Sequence, residues 1–225
     1  MSISPPAEAG KRLKRTLLLD AAYKVFAENG FHRTRLEDVA RSAGYSKASV
    51  YNYFQDKEDL FLQASIAASA LVTERLSSEL QVDRPAIENV ECMLRHILAD
   101  PGELFDFLQA VTEYHGVLEK PDEAGLGRNS LMSAHVRGLK QMLKPLAEAI
   151  EQGQQQGAFQ MDVDATVAAR YLTGIFRSVK VRWRVDGVCG DVDQEVSQIL
   201  AFVQSGLGVG RDASGAQSTE SQPQE

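Results

Sequence analysis

TRLEDVARSAGYSKASVYNYFQDK, residues 34–57, is the stretch on which the reading of the fold turns. Ala40 is followed four positions later by Gly44 and ten positions later by Val50. Two helices joined by a sharp bend need a small residue where they cross, a glycine at the bend, and a branched apolar residue to seat the second on the first. Phe54, one turn past Val50, extends the same face, with Leu36 and Val39 opposite. Thr34 stands three residues before Glu37 in the manner of a capping box, which opens a short helix that Gly44 closes. Ser46 caps a helix over 47–54, and Asp56 caps a longer one over 57–80. In a helical chain the Ala-Gly-Val spacing also arises by chance, so it leaves a helix-turn-helix as one of two readings.

The outward side of the same stretch favours that reading. Lys47, Ser49, Tyr51, Asn52 and Tyr53 crowd hydroxyl, amide and ammonium groups into seven residues. Such groups suit phosphate oxygens and the edges of base pairs in a major groove. Thr34 and Lys57 fall at helix starts, where unpaired N–H groups and the positive dipole end favour anions.

Outward from this segment, the periodicity is helical throughout. Leu18, Ala22, Val25 and Phe26 share one face of a helix over 12–29, stopped by Asn29-Gly30. Ile87, Val90, Met93, Leu94, Ile97 and Leu98 form an apolar stripe that ends at Asp100-Pro101-Gly102. Helices follow over 104–118, about 126–156, 163–185 and 192–207, and no run alternates with period two for long enough to build a sheet. The expected fold is all-α, with about nine helices. Residues 1–10 read as a flexible arm, 11–57 as the helix-turn-helix domain, and 58–207 as a helical body whose first helix, 57–80, connects the two. The polar tail 208–225 reads as disordered.

The chain has 225 residues and a net charge of −7, unevenly spread. Residues 1–57 hold ten basic and six acidic side chains, a charge of +4, which leaves 14 basic and 25 acidic, −11, for the rest. A basic head on an acidic body fits a phosphate-binding module on a solubilising partner. No apolar run reaches the length of a membrane span, and no apolar core of a signal peptide follows Met1. Cys92 and Cys189 are far apart and make no metal-type pair, so reduced thiols and a cytoplasmic location are expected.

Gly30-Phe31, Thr34, Asp38-Val39-Ala40, the run from Ala43 to Phe54, and Lys57-Glu58-Asp59-Leu60 resemble the N-terminal pattern of the TetR/AcrR family of transcription regulators. The resemblance covers about residues 15–62. It implies a nine-helix protein that dimerises through its last two long helices and binds a ligand inside its body. It also implies roles by position. Thr34, Arg35, Tyr51, Tyr53 and Lys57 match phosphate-contacting positions, and Lys47, Ala48, Ser49 and Asn52 match base-facing ones. Arg35 departs from the Thr or Ser common there. Glu37 sits where some members carry a basic DNA contact; a carboxylate there either selects a cytosine or caps the helix. Tyr53 has a competing role in helix packing. The cluster Lys11, Arg12, Lys14 and Arg15 either reaches neighbouring DNA or is a solvated end.

In the body, His96, Phe105, Tyr114, His115, Met132, His135, Phe176 and Trp183 are candidates for a small-molecule pocket, because a core that only packs has no need of three histidines. Plain core packing is the competing account of each. Arg177, Lys180, Arg182 and Arg184 around Trp183 read as a structural face in preference to a clamp for an acidic ligand. Glu113 and His115, two apart, point to different helix faces. No phosphate-cradling glycine loop, nucleophile elbow, His-Glu-x-x-His or CxxC occurs, so neither an enzyme nor a cofactor is expected. The four histidines lack ligand-type spacing, so no metal is expected. Two readings remain. One is a homodimeric repressor that a small molecule releases from near-palindromic double-stranded operator DNA. The other is a helical ligand-binding or scaffold protein whose N-terminal bundle touches another protein. Only the first accounts for the exposed, hydroxyl-rich face.

Overall fold

The computed structural model describes residues 6–100, 103–117, 126–159, 163–188 and 190–206. The described residues form ten helical segments and no strand: α1 Pro6–Arg33, α2 Leu36–Ser42, α3 Lys47–Tyr51, α4 Lys57–Glu79, α5 Ala86–Ala99, α6 Glu103–Val117, α7 Leu126–Gln141, α8 Lys144–Gln155, α9 Ala165–Asp186 and α10 Val192–Gly206. The fold is all-α, as the periodicity requires.

Three boundaries differ from expectation for local reasons. Residues 6–10, expected within a flexible arm, are helical and continue into the basic cluster. Pro6 suits that start, since its fixed φ and missing N–H cost nothing in a first turn. The expected helix over 126–156 is two helices broken at Met142 and Leu143, which accounts for ten segments against nine. Pro145 stands in the first turn of α8, where the absent N–H breaks no bond. The helix expected over 47–54 ends at Tyr51, with Asn52 and Tyr53 in a turn. The tail 208–225 lies outside the described residues.

The caps explain where the short helices begin. The Ser46 side chain accepts from the Ser49 N–H at 3.2 Å. The Asp56 carboxylate accepts from the Asp59 N–H at 2.8 Å, and Asp59 in turn accepts from the Gln55 N–H. The capping box expected at 34–37 does not form: the N-cap of α2 is Arg35, without a side-chain capping bond. The Thr34 hydroxyl instead donates to the Gly30 carbonyl at 2.8 Å, with the Val25 carbonyl at 3.3 Å. Thr34 thereby ties the end of α1 to the start of α2.

Two apolar cores are stacked along the molecule. The first joins Leu18, Ala22, Phe26, Val39, Val50, Phe54, Leu60, Phe61, Phe107 and Tyr114 from α1 to α4 and α6. The second joins Leu76 of α4 to Met93, Leu94, Leu146, Ile150, Phe176, Trp183 and Val196 of α5, α8, α9 and α10. Each fully buried Phe or Leu contributes roughly 1.5–3 kcal/mol of transfer free energy. Helix α4 supplies side chains to both cores, so a shift of α4 disturbs both.

Candidate functional site

The bend between α2 and α3 is built as the spacing requires. Ala40 and Val50 are buried where the helices cross. Gly44 has φ +73°, the left-handed value that ends a helix in a Schellman motif. Its two bonds are present, Tyr45 N–H to Ala40 O at 2.8 Å and Gly44 N–H to Arg41 O at 3.1 Å. With Val50 and Phe54 turned inward, α3 presents its other side to solvent.

That side carries most of the residues expected to meet DNA. Arg35, Lys47, Ala48, Tyr51 and Asn52 are exposed, and Tyr51 is 49% exposed despite its aromatic ring. Ser49 is half-buried, its hydroxyl 3.0 Å from that of Ser46. Tyr53 is half-buried and packs against the first core. Lys47 lies 5.7 Å from the centre of the Tyr51 ring and forms an ion pair with Glu37 of α2 at 2.5 Å. The bond from Lys47 holds the Glu37 carboxyl below its ordinary range, and Glu37 raises the Lys47 ammonium, so both stay charged.

Two expected phosphate contacts are placed differently. Thr34 is 2% exposed, with its hydroxyl committed to α1. The Lys57 ammonium donates to the carbonyls of Phe31 and His32 at 3.0 and 3.2 Å and sits 4.6 Å over the Phe31 ring. Partial burial lowers its pKa. These two side chains hold the C-terminal end of α1. Upstream, Lys14 lies over Tyr45, and Arg15 bonds Gln63 and lies over Phe54, so half of the basic cluster is engaged with the helix-turn-helix and α4. Lys11 and Arg12 are exposed on the first turns of α1.

The eight ligand candidates do not converge on one pocket. His96 lines a cavity of ≈310 Å³ walled by α1, α4, α5 and α6. The other walls, among them Leu19, Tyr23, Ala64, Ala68, Leu71, Val72 and Arg75, escaped the sequence reading. The signal available was the run of small residues in α4, Ala64, Ala67 and Ala68, which leaves room beside α1. Burial, reinforced by Asp100 and Glu103, pushes the Tyr23 phenol above its ordinary value. Phe105 and Trp183 line a second, more open depression with Lys180 and Arg184. Phe176 is buried in the second core. Met132 packs against the first core.

Tyr114, His115 and His135 form a cluster of their own. His115 and His135 face each other, Nε2 to Nε2, at 2.9 Å. The Tyr114 hydroxyl donates to Glu58 at 2.6 Å. His135 is fully buried, and its Nδ1 has no hydrogen-bond partner.

The basic run on α9 is structural. Lys180 donates to the Leu98 and Asp100 carbonyls at the end of α5. Arg182 pairs with Glu195, Arg184 with Asp106, and Arg177 bonds Gln109. Among the described residues no group of three His, Cys, Asp or Glu could hold a metal ion, and no helix is long and apolar enough to cross a membrane.

Residues 18–64 match the model of the tetR family of bacterial regulatory proteins. The chain carries a tetR-family N-terminal segment over those residues. The match spans the helix-turn-helix and the parts of α1 and α4 that brace it. Among its relatives is the HTH-type transcriptional repressor KstR2 of Rhodococcus jostii (strain RHA1), 28% identical, with 90% of this chain and 96% of that one covered. Another is the fatty acid metabolism regulator protein of Bacillus subtilis (strain 168), 24% identical, covering 88% and 97%. Solved structures extend the likeness in fold to the rest of the chain. The fatty acid degradation regulator FadR from Bacillus halodurans superposes with a TM-score of 0.66 at 20% identity, covering 92% of this chain and 99% of that one. FadR from Bacillus subtilis, solved in complex with stearoyl-CoA, gives 0.63 at 23%, covering 85% and 98%. At these identities the superpositions speak to the fold.

Proposed function

We infer that this tetR-family regulator is a cytoplasmic homodimeric repressor, released from a near-palindromic operator by a small molecule held in its body. The observation that carries the reading is the side of α3 left open to solvent, with Lys47, Ala48, Tyr51 and Asn52 exposed and Val50 buried beneath them. Two such helices in a dimer enter successive major grooves about 34–36 Å apart, which demands a pseudo-palindrome.

The effector site in this reading is the cavity at the junction of head and body. Its walls include Leu19 and Tyr23 of α1 and Ala68, Leu71 and Val72 of α4, so an occupant touches the DNA-binding head and the connecting helix together. Lys24 and Arg75 line the cavity beside that apolar stripe, together with the carboxylates of Asp20, Asp100 and Glu103. The apolar stripe suits an amphipathic ligand, and the fatty-acid names of several relatives favour an acid whose carboxylate pairs with Lys24 or Arg75. A ligand that fits the cavity only when α1 and α4 are displaced favours the DNA-incompetent state. A difference of about 1–3 kcal/mol between the two states gives a useful response.

The test is gel-shift binding to the DNA flanking the protein's own coding region, at two salt concentrations, repeated with a panel of free fatty acids and acyl-CoA thioesters. Specific binding that Lys47→Ala and Tyr51→Phe weaken is expected. Indifference to every duplex sinks the repressor reading. Constant operator affinity across the panel sinks the proposed ligand class alone.

A further inference from the structure

Glu37 is an anomaly on a surface built to meet phosphates. It projects from the first turn of α2 onto the DNA-binding face, is 47% exposed, and takes the ammonium of Lys47, the first residue of α3. Its carboxylate also accepts from its own backbone N–H in the first turn of α2, so the helix start uses part of its hydrogen-bonding capacity and Lys47 takes more. An exposed ion pair adds little to stability. Against the phosphate backbone a carboxylate is repulsive, so its placement calls for a partner that donates hydrogen bonds.

The bases supply one. The N-terminal residues of a recognition helix are those that reach base edges. In the major groove a G·C pair presents, in order, guanine N7 and O6 as acceptors and then the cytosine N4 amino group as donor. An ammonium joined to a carboxylate has the complementary order: the ammonium covers the two acceptors and the carboxylate takes the amino group. An A·T pair offers acceptor, donor, acceptor and then a methyl group, which sets thymine O4 and the methyl against the carboxylate. We propose that Glu37 and Lys47 read a single G·C base pair in each half-site as one linked unit, which makes Glu37 a specificity-determining residue of the operator interface. Their ion pair fixes the two groups side by side before DNA arrives. The mutual shift of their titrations keeps both in the charged form that this order of contacts needs.

The inference rests on the DNA-binding reading above, and one experiment separates the two. Full-length protein selects duplexes from a randomised library, and every position of the enriched half-site is then changed in turn. Wild type is expected to lose about tenfold or more at one G·C position when it becomes A·T. Glu37→Ala and Lys47→Ala should each flatten the preference at that same position and leave the others intact, and the double variant should flatten it no further. If Glu37→Ala only raises affinity for all duplexes alike, or the two variants relax different positions, the linked-unit proposal is overturned. A wild-type protein that enriches no sequence overturns the DNA-binding reading instead. Both side chains are exposed, so unchanged thermal melting of the variants confirms that the fold is intact.

Discussion

Thr34 and Lys47 are polar residues at helix starts thirteen positions apart, yet the fold sends one inward and the other to solvent. The Thr34 hydroxyl closes on the Gly30 carbonyl, so Thr34→Val should cost about 1 kcal/mol in urea denaturation and leave the salt dependence of DNA binding unchanged. Lys47→Ala should show the converse, with little loss of stability and a weaker, less selective complex, read by gel shift on the enriched half-site. Gly30 admits a sharper prediction. Its φ of 74° and ψ of 170° lie in a region that only glycine occupies at low cost, and a Cβ there would sit 2.5 Å from the Glu113 carboxylate. Gly30→Ala should therefore lower stability by about 1–3 kcal/mol, read from the urea midpoint. The sequence makes Gly30 legible as a helix stop. It does not show that Thr34 and Lys57 are spent on the same helix end, because a polar residue at a helix start reads alike whether it caps, meets a phosphate or reaches a neighbour's carbonyls.

At the scale of elements, the end of α6 joins three helices through three consecutive residues. Glu113 accepts from the Phe31 N–H of α1, Tyr114 donates to Glu58 of α4, and His115 faces His135 of α7. The opposite faces expected of Glu113 and His115 are thus used by different partners. The histidine pair holds together only while one ring nitrogen keeps a lone pair for the other's proton. Burial, with His115 close by, lowers the His135 pKa to about 4, and burial lowers that of His115 too. A histidine whose folded pKa lies below its unfolded value near 6.5 binds fewer protons when folded. Stability is then fully present above about pH 6.5 and is lost as pH falls towards 4, by up to about 3 kcal/mol for His135. Denaturant unfolding at pH 7 and pH 4.5 should show that loss, and the His135 ring-proton resonance should not titrate above pH 5. A His135 resonance that titrates near 6.5 would contradict the pairing. Periodicity and caps made most element boundaries legible. The break at 142–143 was signalled by Pro145 but overridden by the continuous apolar pattern around it. Which histidines meet is fixed by the packing of α6 on α7, which periodicity does not encode.

At the scale of the molecule, what remains uncovered on the body is concentrated where the resemblance places the dimer seam. Val185 and Tyr171 of α9 are 78% and 67% exposed, Phe202 of α10 is 66% exposed, and Val181 and Val188 add to the same apolar set. The face of α9 opposite them, from Ala169 through Phe176 to Trp183, is buried in the second core, and the outer face carries these apolar groups among the exposed arginines Arg170 and Arg177. Such an exposed apolar set suits the partner helix of the proposed dimer. Two recognition helices on one rigid dimer engage an operator together, and the second contact then forms at high effective concentration, worth roughly 10²–10⁴ in affinity. Charge placed on the seam should remove that gain without touching the head. Val185→Glu combined with Phe202→Glu is expected to give a monomer in sedimentation velocity. Its affinity for a full palindrome should fall by at least about 100-fold, towards that for a single half-site. Its helical circular-dichroism signal should stay that of wild type because neither side chain is in a core, and any fall in melting temperature then reports the lost dimer. A double variant that still sediments as a dimer moves the seam away from α9 and α10. A wild-type protein that sediments as a monomer removes the geometric reason for a palindrome, since a single α3 can read only one half-site.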